Sequence, residues 1–255
     1  MSSDTPSMVP LRATIHIDRD ELARALGARV GGPSTLPASE SALFNADEAA
    51  KKKKRSASYD APFESDYSKR AGYNPEFLGK LKHRVNLPTL SPALRKAAAY
   101  LIEHPKEYVL KYHNYSVVMH AERRLAIYAA ANVNFGDRFS MSRPADVWRT
   151  DPRIDAKHQI TNFYYASNQF DRGHLTRRED LEFGKTAVAA LQSAADTCHW
   201  TNCTPQHSKF NQNKEIWQGI ELYLLESAII QNRVSAQIFT GPVFSEDDPE
   251  YKKIQ

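Results

Sequence analysis

Apolar and polar positions are spread unevenly along this chain, and the pattern divides it into two unlike parts. In residues 1–62 the apolar runs are short and aromatics are few. Asp18 is placed to cap a short helix over Arg19–Leu26, with Leu22, Ala23 and Leu26 on one face, and Gly27 and Gly31-Gly32-Pro33 stop it. From residue 33 to 62 the composition turns to Ser, Ala, Lys, Pro and Asp, which leaves little apolar surface to bury. Residues 1–62 therefore read as a flexible or weakly ordered extension, and residues 63–255 as the packed domain.

Inside that domain the periodicities are clearer. Residues 77–88 look irregular, Ala93–Ile102 suits a short helix, and Pro88, Pro92 and Pro105 punctuate the region. Tyr115–His120 and Arg124–Asn134 read as a β-hairpin with Val117, Val118, Leu125, Ile127 and Tyr128 forming its apolar face. Ala129–Ala131 weakens the second strand. Phe139–Pro152 is polar and arginine-rich, a loop, whereas Thr186–Ala194 suits a helix of small residues. Thr197–Cys203 reads as a short strand with Trp200 on one face. Lys214–Ile230 is the clearest helix, because Ile216, Trp217, Ile220, Leu224 and Ala228 recur at three- and four-residue steps. Gln237–Thr240 is a last strand, ending in Gly241-Pro242. This order of elements predicts an α+β fold, with an antiparallel sheet core and packed helices.

Composition adds modest constraints. A hydrophobic fraction of 41%, with 12 Tyr, 11 Phe and 3 Trp, can supply a sizeable core. The net charge of +4 suits a polyanionic partner without requiring one. Lys51-Lys52-Lys53-Lys54-Arg55 could steer nucleic acid, but inside a polar connector it reads first as a solvated tract. Cys198 and Cys203 are five apart, an offset that puts them on opposite faces of a strand and disfavours a disulfide. No charged start leads into an apolar run, and no stretch nears the roughly 18 apolar residues of a membrane span, so a soluble protein is expected.

The chemistry is concentrated in Asp171-Arg172-Gly173-His174, Asn202-Cys203-Thr204-Pro205-Gln206 and Asn211-Gln212. His174 can accept a proton from water near neutral pH. Arg172, Arg177 and Arg178 surround it with positive charge suited to phosphate. An Asn211 carbonyl oxygen is a neutral, hard ligand of the kind magnesium takes, and Glu221 could hold a metal-bound water. A zinc hydrolase would need His and Cys ligands at metal spacing, and His199 and His207 form no such pattern with His174.

Taken in order, these motifs, with Trp217 and Glu221 after them, resemble the DNA/RNA non-specific endonuclease family, a ββα-metal (His-Me finger) group. The resemblance covers about residues 116–244, and Gly72-Tyr73-Asn74-Pro75 and Phe77-Leu78-Gly79 extend it towards the family's bacterial branch. It implies a sugar-non-specific endonuclease that hydrolyses DNA and RNA and leaves 5′-phosphate ends. His174 would be the general base, Asn202 a residue ordering the site, Asn211 the direct ligand of one Mg2+ (or Mn2+), and Glu221 a ligand through water. Arg172, Arg177 and Arg149 would bind substrate.

Three departures from the family pattern stand out. Trp217 and Glu221 keep the family's spacing when counted from Asn213 rather than Asn211, although Phe210-Asn211-Gln212 favours Asn211 as ligand. The family's upstream arginine falls near Arg143 or Arg149, Arg143 being preferred, while Asp146 stands at the simplest aligned position. Relatives continue with more sheet after the last strand, whereas this chain stops at Gln255, so the sequence reads either as a fragment or as a shortened domain whose missing strands leave a sheet edge open. Members of the family often form homodimers, but no interface is identifiable here. The competing expectation is a catalytically silent, nuclease-like module that binds nucleic acid or protein.

Overall fold

A computed structural model of the chain describes residues 11–17, 63–139, 141, 145–212, 234–248 and 250. Its centre is a five-stranded antiparallel sheet of order β1-β7-β4-β3-β2. The strands are β1 (Leu11–Ile17), β2 (Val109–Lys111), β3 (Tyr115–Met119), β4 (Ala126–Asn134) and β7 (Ser235–Pro242). A separate antiparallel ribbon pairs β5 (Phe170–His174) with β6 (Cys203–His207). Among the described residues three short helices accompany them: α1 (Pro92–Ala97), α2 (Ala187–Asp196) and α3 (Ser208–Asn211). The α+β expectation holds, and the run β5, β6, α3 gives the expected ββα order. Among the described residues no helix is long and apolar enough to cross a membrane.

The predicted hairpin is present as β3 and β4, with Val117 opposite Ala129 and Val118 opposite Tyr128. Its strands lack clean polar alternation because both faces of the sheet are covered. Tyr115, Val117, Met119, Ala129, Ala131 and Val133 pack towards Leu175, Leu181 and Phe183 in the site-bearing half. Val118, Tyr128 and Ala130 face the other way, onto Tyr73, Leu90 and Ala98. The alanines of β4, which weaken its strand signal, are all buried in these two layers.

The expected helix over Ala93–Ile102 is shorter than predicted. It ends at Ala97 because Ala98 bridges His120 and the Ala99 N–H donates to the Met119 carbonyl at 2.8 Å. The expected strand over Thr197–Cys203 is displaced. Thr197 ends α2, Trp200–Asn202 forms a 3-10 turn, and the strand starts at Cys203. Both cysteines are free and buried, but Cys198 lies ahead of the strand, so opposite strand faces are not what keeps them apart.

Leu11–Ile17, within the stretch assigned to a weakly ordered extension, pairs with β7 at seven consecutive positions from Leu11–Pro242 to Ile17–Ala236. The edge of β7 expected to stay open is therefore covered by the N-terminal strand. The predicted helices over Arg19–Leu26 and Lys214–Ile230 lie outside the described residues, as do Arg143, Asn213 and Glu221.

Candidate active site

His174 is the last residue of β5, where it pairs with Cys203. Its half-buried ring lies 4.7 Å from Trp148, centroid to centroid. Trp148 stacks on Trp200 at 5.1 Å, and Trp200 on Tyr165 at 5.7 Å, so a column of three aromatic rings backs the imidazole. Trp148 reaches this place because the residue after it docks by backbone. The Arg149 N–H donates to the Cys198 carbonyl and the Trp200 N–H to the Arg149 carbonyl, each at 2.9 Å. Sequence reading passed over Trp148. A tryptophan in a polar, arginine-rich loop was the available signal.

The same docking carries Asp146 and Cys198 to His174. Cys198 Sγ lies 3.9 Å from His174 Nε2 and 3.7 Å from Asp146 Oδ1. Arg178 joins from beyond the motif, with Nη1 3.7 Å from the sulfur and 3.9 Å from the Asp146 carboxylate. Burial pushes the Cys198 thiol up, Asp146 pushes it further, and the guanidinium pulls it back. Asp146, His174 and Cys198 thus present an oxygen, a nitrogen and a sulfur within 4.8 Å of one another. The fold brings together three segments whose spacing gave no metal signature.

Asn202 is fully buried, and its amide is fully engaged. Oδ1 accepts from the Thr176 N–H at 2.9 Å, and Nδ2 donates to the carbonyls of Thr176 and Thr197 at 3.0 and 2.9 Å. The Leu175 N–H also donates to the Asn202 carbonyl at 3.0 Å. Asn202 therefore pins the chain leaving His174 to the end of α2.

Asp171 and Gly173 face the other side of the ribbon. The Asp171 carboxylate accepts from Asn211 Nδ2 at 3.0 Å and Gln212 Nε2 at 2.8 Å. An ionised carboxylate only accepts, so this contact fixes the Asn211 amide with its nitrogen towards Asp171 and its carbonyl oxygen turned away. Gly173 is required because Gln206 lies across it: a Cβ there would stand 2.1 Å from Gln206 Cδ. Along the strand, His174 and Asp171 are about 10 Å apart by the β rise.

The arginines separate into different roles. Arg172 is exposed on β5, opposite Pro205. Arg177 pairs with Glu179 at 2.7 Å. Arg149 turns back onto its own loop, with Nη1 donating to the Val147 carbonyl and its guanidinium 4.2 Å from the Phe63 ring centre. Among the described arginines, Arg178 is the one joined to the Asp146–Cys198–His174 cluster.

Behind the site lies a buried polar girdle. Arg70 grips Asp196 through Nε at 2.8 Å and Nη2 at 2.9 Å, and His113 Nδ1 meets the same carboxylate at 2.7 Å. Burial raises the Asp196 carboxyl, but His113 and Arg70 overcome this and hold it well below the usual carboxylate range. His199 Nδ1 faces the Asp196 carbonyl at 2.6 Å, so it donates, leaving Nε2 to accept from the Tyr67 hydroxyl at 2.8 Å. Burial lowers the His199 pKa and keeps the ring neutral.

The chain is similar to known proteins. A family model for the DNA/RNA non-specific endonucleases matches residues 101–255. An uncharacterized protein, y4fB of Sinorhizobium fredii (strain NBRC 101917 / NGR234), is 39% identical over 194 residues, 72% of this chain and 28% of that protein. The chain thus spans little more than a quarter of that relative's length. A chain from the crystal structure of the EndoG/EndoGI complex aligns with a TM-score of 0.43 at 16% identity, over 66% of each chain. With well over half of its residues matched by the family model, the chain belongs to the DNA/RNA non-specific endonucleases.

Proposed function

We propose that this chain is a metal-dependent endonuclease that hydrolyses phosphodiester bonds of both DNA and RNA, leaving 5′-phosphate ends. The observation that carries the reading is the ββα unit itself. It holds His174 at the end of one strand and Asn211, its amide orientation fixed by Asp171, on the helix that follows.

In this mechanism a neutral His174 accepts a proton from the water that attacks phosphorus. The Trp148 face restrains the ring, and Asn202 holds the backbone that leaves it. The donor chemistry at Asn211 fits a hard cation, because the outward atom is a neutral carbonyl oxygen. Asn211 would hold a magnesium ion directly and Glu221 would do so through water. Bound there, the ion offsets charge on the scissile phosphate and the leaving oxygen. Arg172 meets substrate phosphate from its exposed position, with Arg177 and Arg149 as further contacts. Arg143 would stabilise the charged transition state. Contacts of this kind are to phosphate and sugar and carry little base preference.

The test is cleavage of supercoiled plasmid and of RNA with magnesium or with EDTA. Both substrates should be cut with metal and neither with chelator. His174→Ala should lose nearly all turnover while keeping much of its DNA affinity, which phosphate contacts supply. Cleavage at the parental rate by that variant would remove His174 as the base. Nucleic-acid binding without cleavage by the parent would favour the silent module. Asn211→Ala and Asn213→Ala, compared across magnesium concentrations, decide the ligand, and a loss confined to Asn213→Ala would overturn Asn211.

A further inference from the structure

We infer that Asp146, His174 and Cys198 form an inhibitory site for a thiophilic divalent cation such as zinc, distinct from the oxygen-ligated magnesium position at Asn211. The inference rests on His174 serving as the general base.

Geometry comes first. A tetrahedral zinc bound by sulfur at about 2.3 Å and nitrogen at about 2.0–2.1 Å sets those two atoms roughly 3.6 Å apart. Here Cys198 Sγ and His174 Nε2 are 3.9 Å apart, and Cys198 Sγ and Asp146 Oδ1 are 3.7 Å apart. The two sulfur separations need shifts of a few tenths of an ångström. A rotation of the Asp146 carboxylate, which lies within 4.8 Å of the His174 nitrogen, would close the third side to the roughly 3.4 Å of a tetrahedral site. Three protein ligands with water in the fourth position are a recurrent zinc arrangement.

Ligand chemistry selects the ion. Magnesium prefers an octahedron of oxygens and would find one carboxylate here, beside the Arg178 guanidinium. Zinc gains a thiolate and an imidazole, which bind it far better than they bind magnesium. On binding, the Cys198 thiol gives its proton to solvent, His174 offers its Nε2 lone pair and Asp146 its carboxylate. The thiolate and the carboxylate balance the two positive charges of the ion. Arg178 remains a hydrogen-bond donor to the sulfur, as it is to the thiol. The other thiol is unsuited: Cys203 is buried against the Tyr165 hydroxyl at 3.3 Å, and burial pushes its pKa up to about 12.

The consequence for catalysis follows from the imidazole. Neutral histidine has one nitrogen that can accept a proton, and the other carries hydrogen. Once a cation takes the accepting nitrogen, the ring can no longer deprotonate water. Zinc at this site and His174 acting as base therefore exclude each other.

Cobalt(II), a coloured stand-in for zinc, tests the site without nucleic acid or turnover. Titrated into the full chain in magnesium-free buffer, it should give visible bands of a tetrahedral site and a near-ultraviolet thiolate-to-cobalt band. Zinc should displace both. The thiolate band should vanish in Cys198→Ser, weaken in Asp146→Asn and persist in Cys203→Ser. No thiolate band in the parent, or one abolished only in Cys203→Ser, overturns the site.

A second measurement follows inhibition of plasmid cleavage by zinc at fixed magnesium, each protein normalised to its own zinc-free rate. Cys198→Ser should need at least about tenfold more zinc for half-inhibition. Equal sensitivity overturns the inhibitory role, even where cobalt binds. Full cleavage by His174→Ala would sink the general-base reading while leaving the parent's cobalt spectrum standing, so the two failures are distinguishable.

Discussion

The central sheet and the β5–β6 ribbon solve opposite problems. In the sheet, β3 and β4 bury almost every residue between two apolar layers, and their backbone polar groups are spent on strand pairing. In the ribbon, β5 has one buried position in five, its glycine, and exposes or half-exposes Asp171, Arg172 and His174. Its restraint comes instead from an aromatic column behind His174, an asparagine stapling the chain after it, and a carboxylate orienting Asn211. The lesson is a division of labour. Apolar burial secures the platform, and directional bonds place the groups that must stay wet enough to react. Damage to the sheet should therefore register as lower stability, and damage to the ribbon as lower activity.

The largest expected effect strikes where the two regions meet. Arg70→Ala strands the buried Asp196 carboxylate at the end of α2, and breaking such a pair costs about 3–5 kcal/mol. Urea unfolding should show that loss, while the remaining folded fraction cleaves at the parental rate per molecule. A normal midpoint would mean the girdle holds nothing together. Asn202→Ala comes next, because it leaves the Thr176 N–H and the carbonyls of Thr176 and Thr197 without their partner. The cost is about 1–3 kcal/mol. Cleavage should drop by more than the unfolded fraction explains, and a drop matching that fraction would place Asn202 with the sheet rather than the site.

Acidification probes the same junction more gently. Burial lowers the His199 pKa in the fold, so the unfolded chain takes the proton first, below its ordinary value of about 6.5. Stability is full above that value and is lost as pH falls towards the folded pKa. Asp196, held low, adds a further loss only below about 3.9. Melting temperatures should start to fall below about pH 6.5, and His199→Gln should flatten that first decline. A flat profile from neutral pH down to mildly acid pH would contradict it. Trp148→Ala removes two aromatic pairs, each contributing about 0.5–1.5 kcal/mol beyond the area it buries. Its cleavage rate should fall well below the parent's. An unchanged rate would show that the ring restrains His174 no more than solvent does.

Legibility followed the same division. The hairpin of β3 and β4 could be found from its β-branched residues, and α2 from its small residues. The ribbon motif was legible because its chemistry is carried by adjacent residues, Asp171 through His174. What lay hidden depended on distant segments. Leu11-Arg12-Ala13-Thr14-Ile15-His16-Ile17 alternates apolar and polar with a strand's period, yet its partner β7 lies far along the chain and the polar tract between them masked it. Cys198 looked like an inert thiol and Asp146 like a misplaced charge. Only the backbone docking of Arg149 against Cys198 and Trp200 sets them around His174. The shift of the strand start to Cys203 has a similar cause: Asn202 is committed to holding Thr176 and Thr197.

The pairing of β1 with β7 also sets an order of events during synthesis. The partners Leu11 and Pro242 are about 230 residues apart, so this is among the last pairings the growing chain can make. β4 is made more than 90 residues before its neighbour β7, and until then its bonding edge has no native mate. The ribosome thus carries a half-built sheet that becomes complete only when β7 emerges and inserts between two older strands. Late completion of the scaffold is a delay written into the topology.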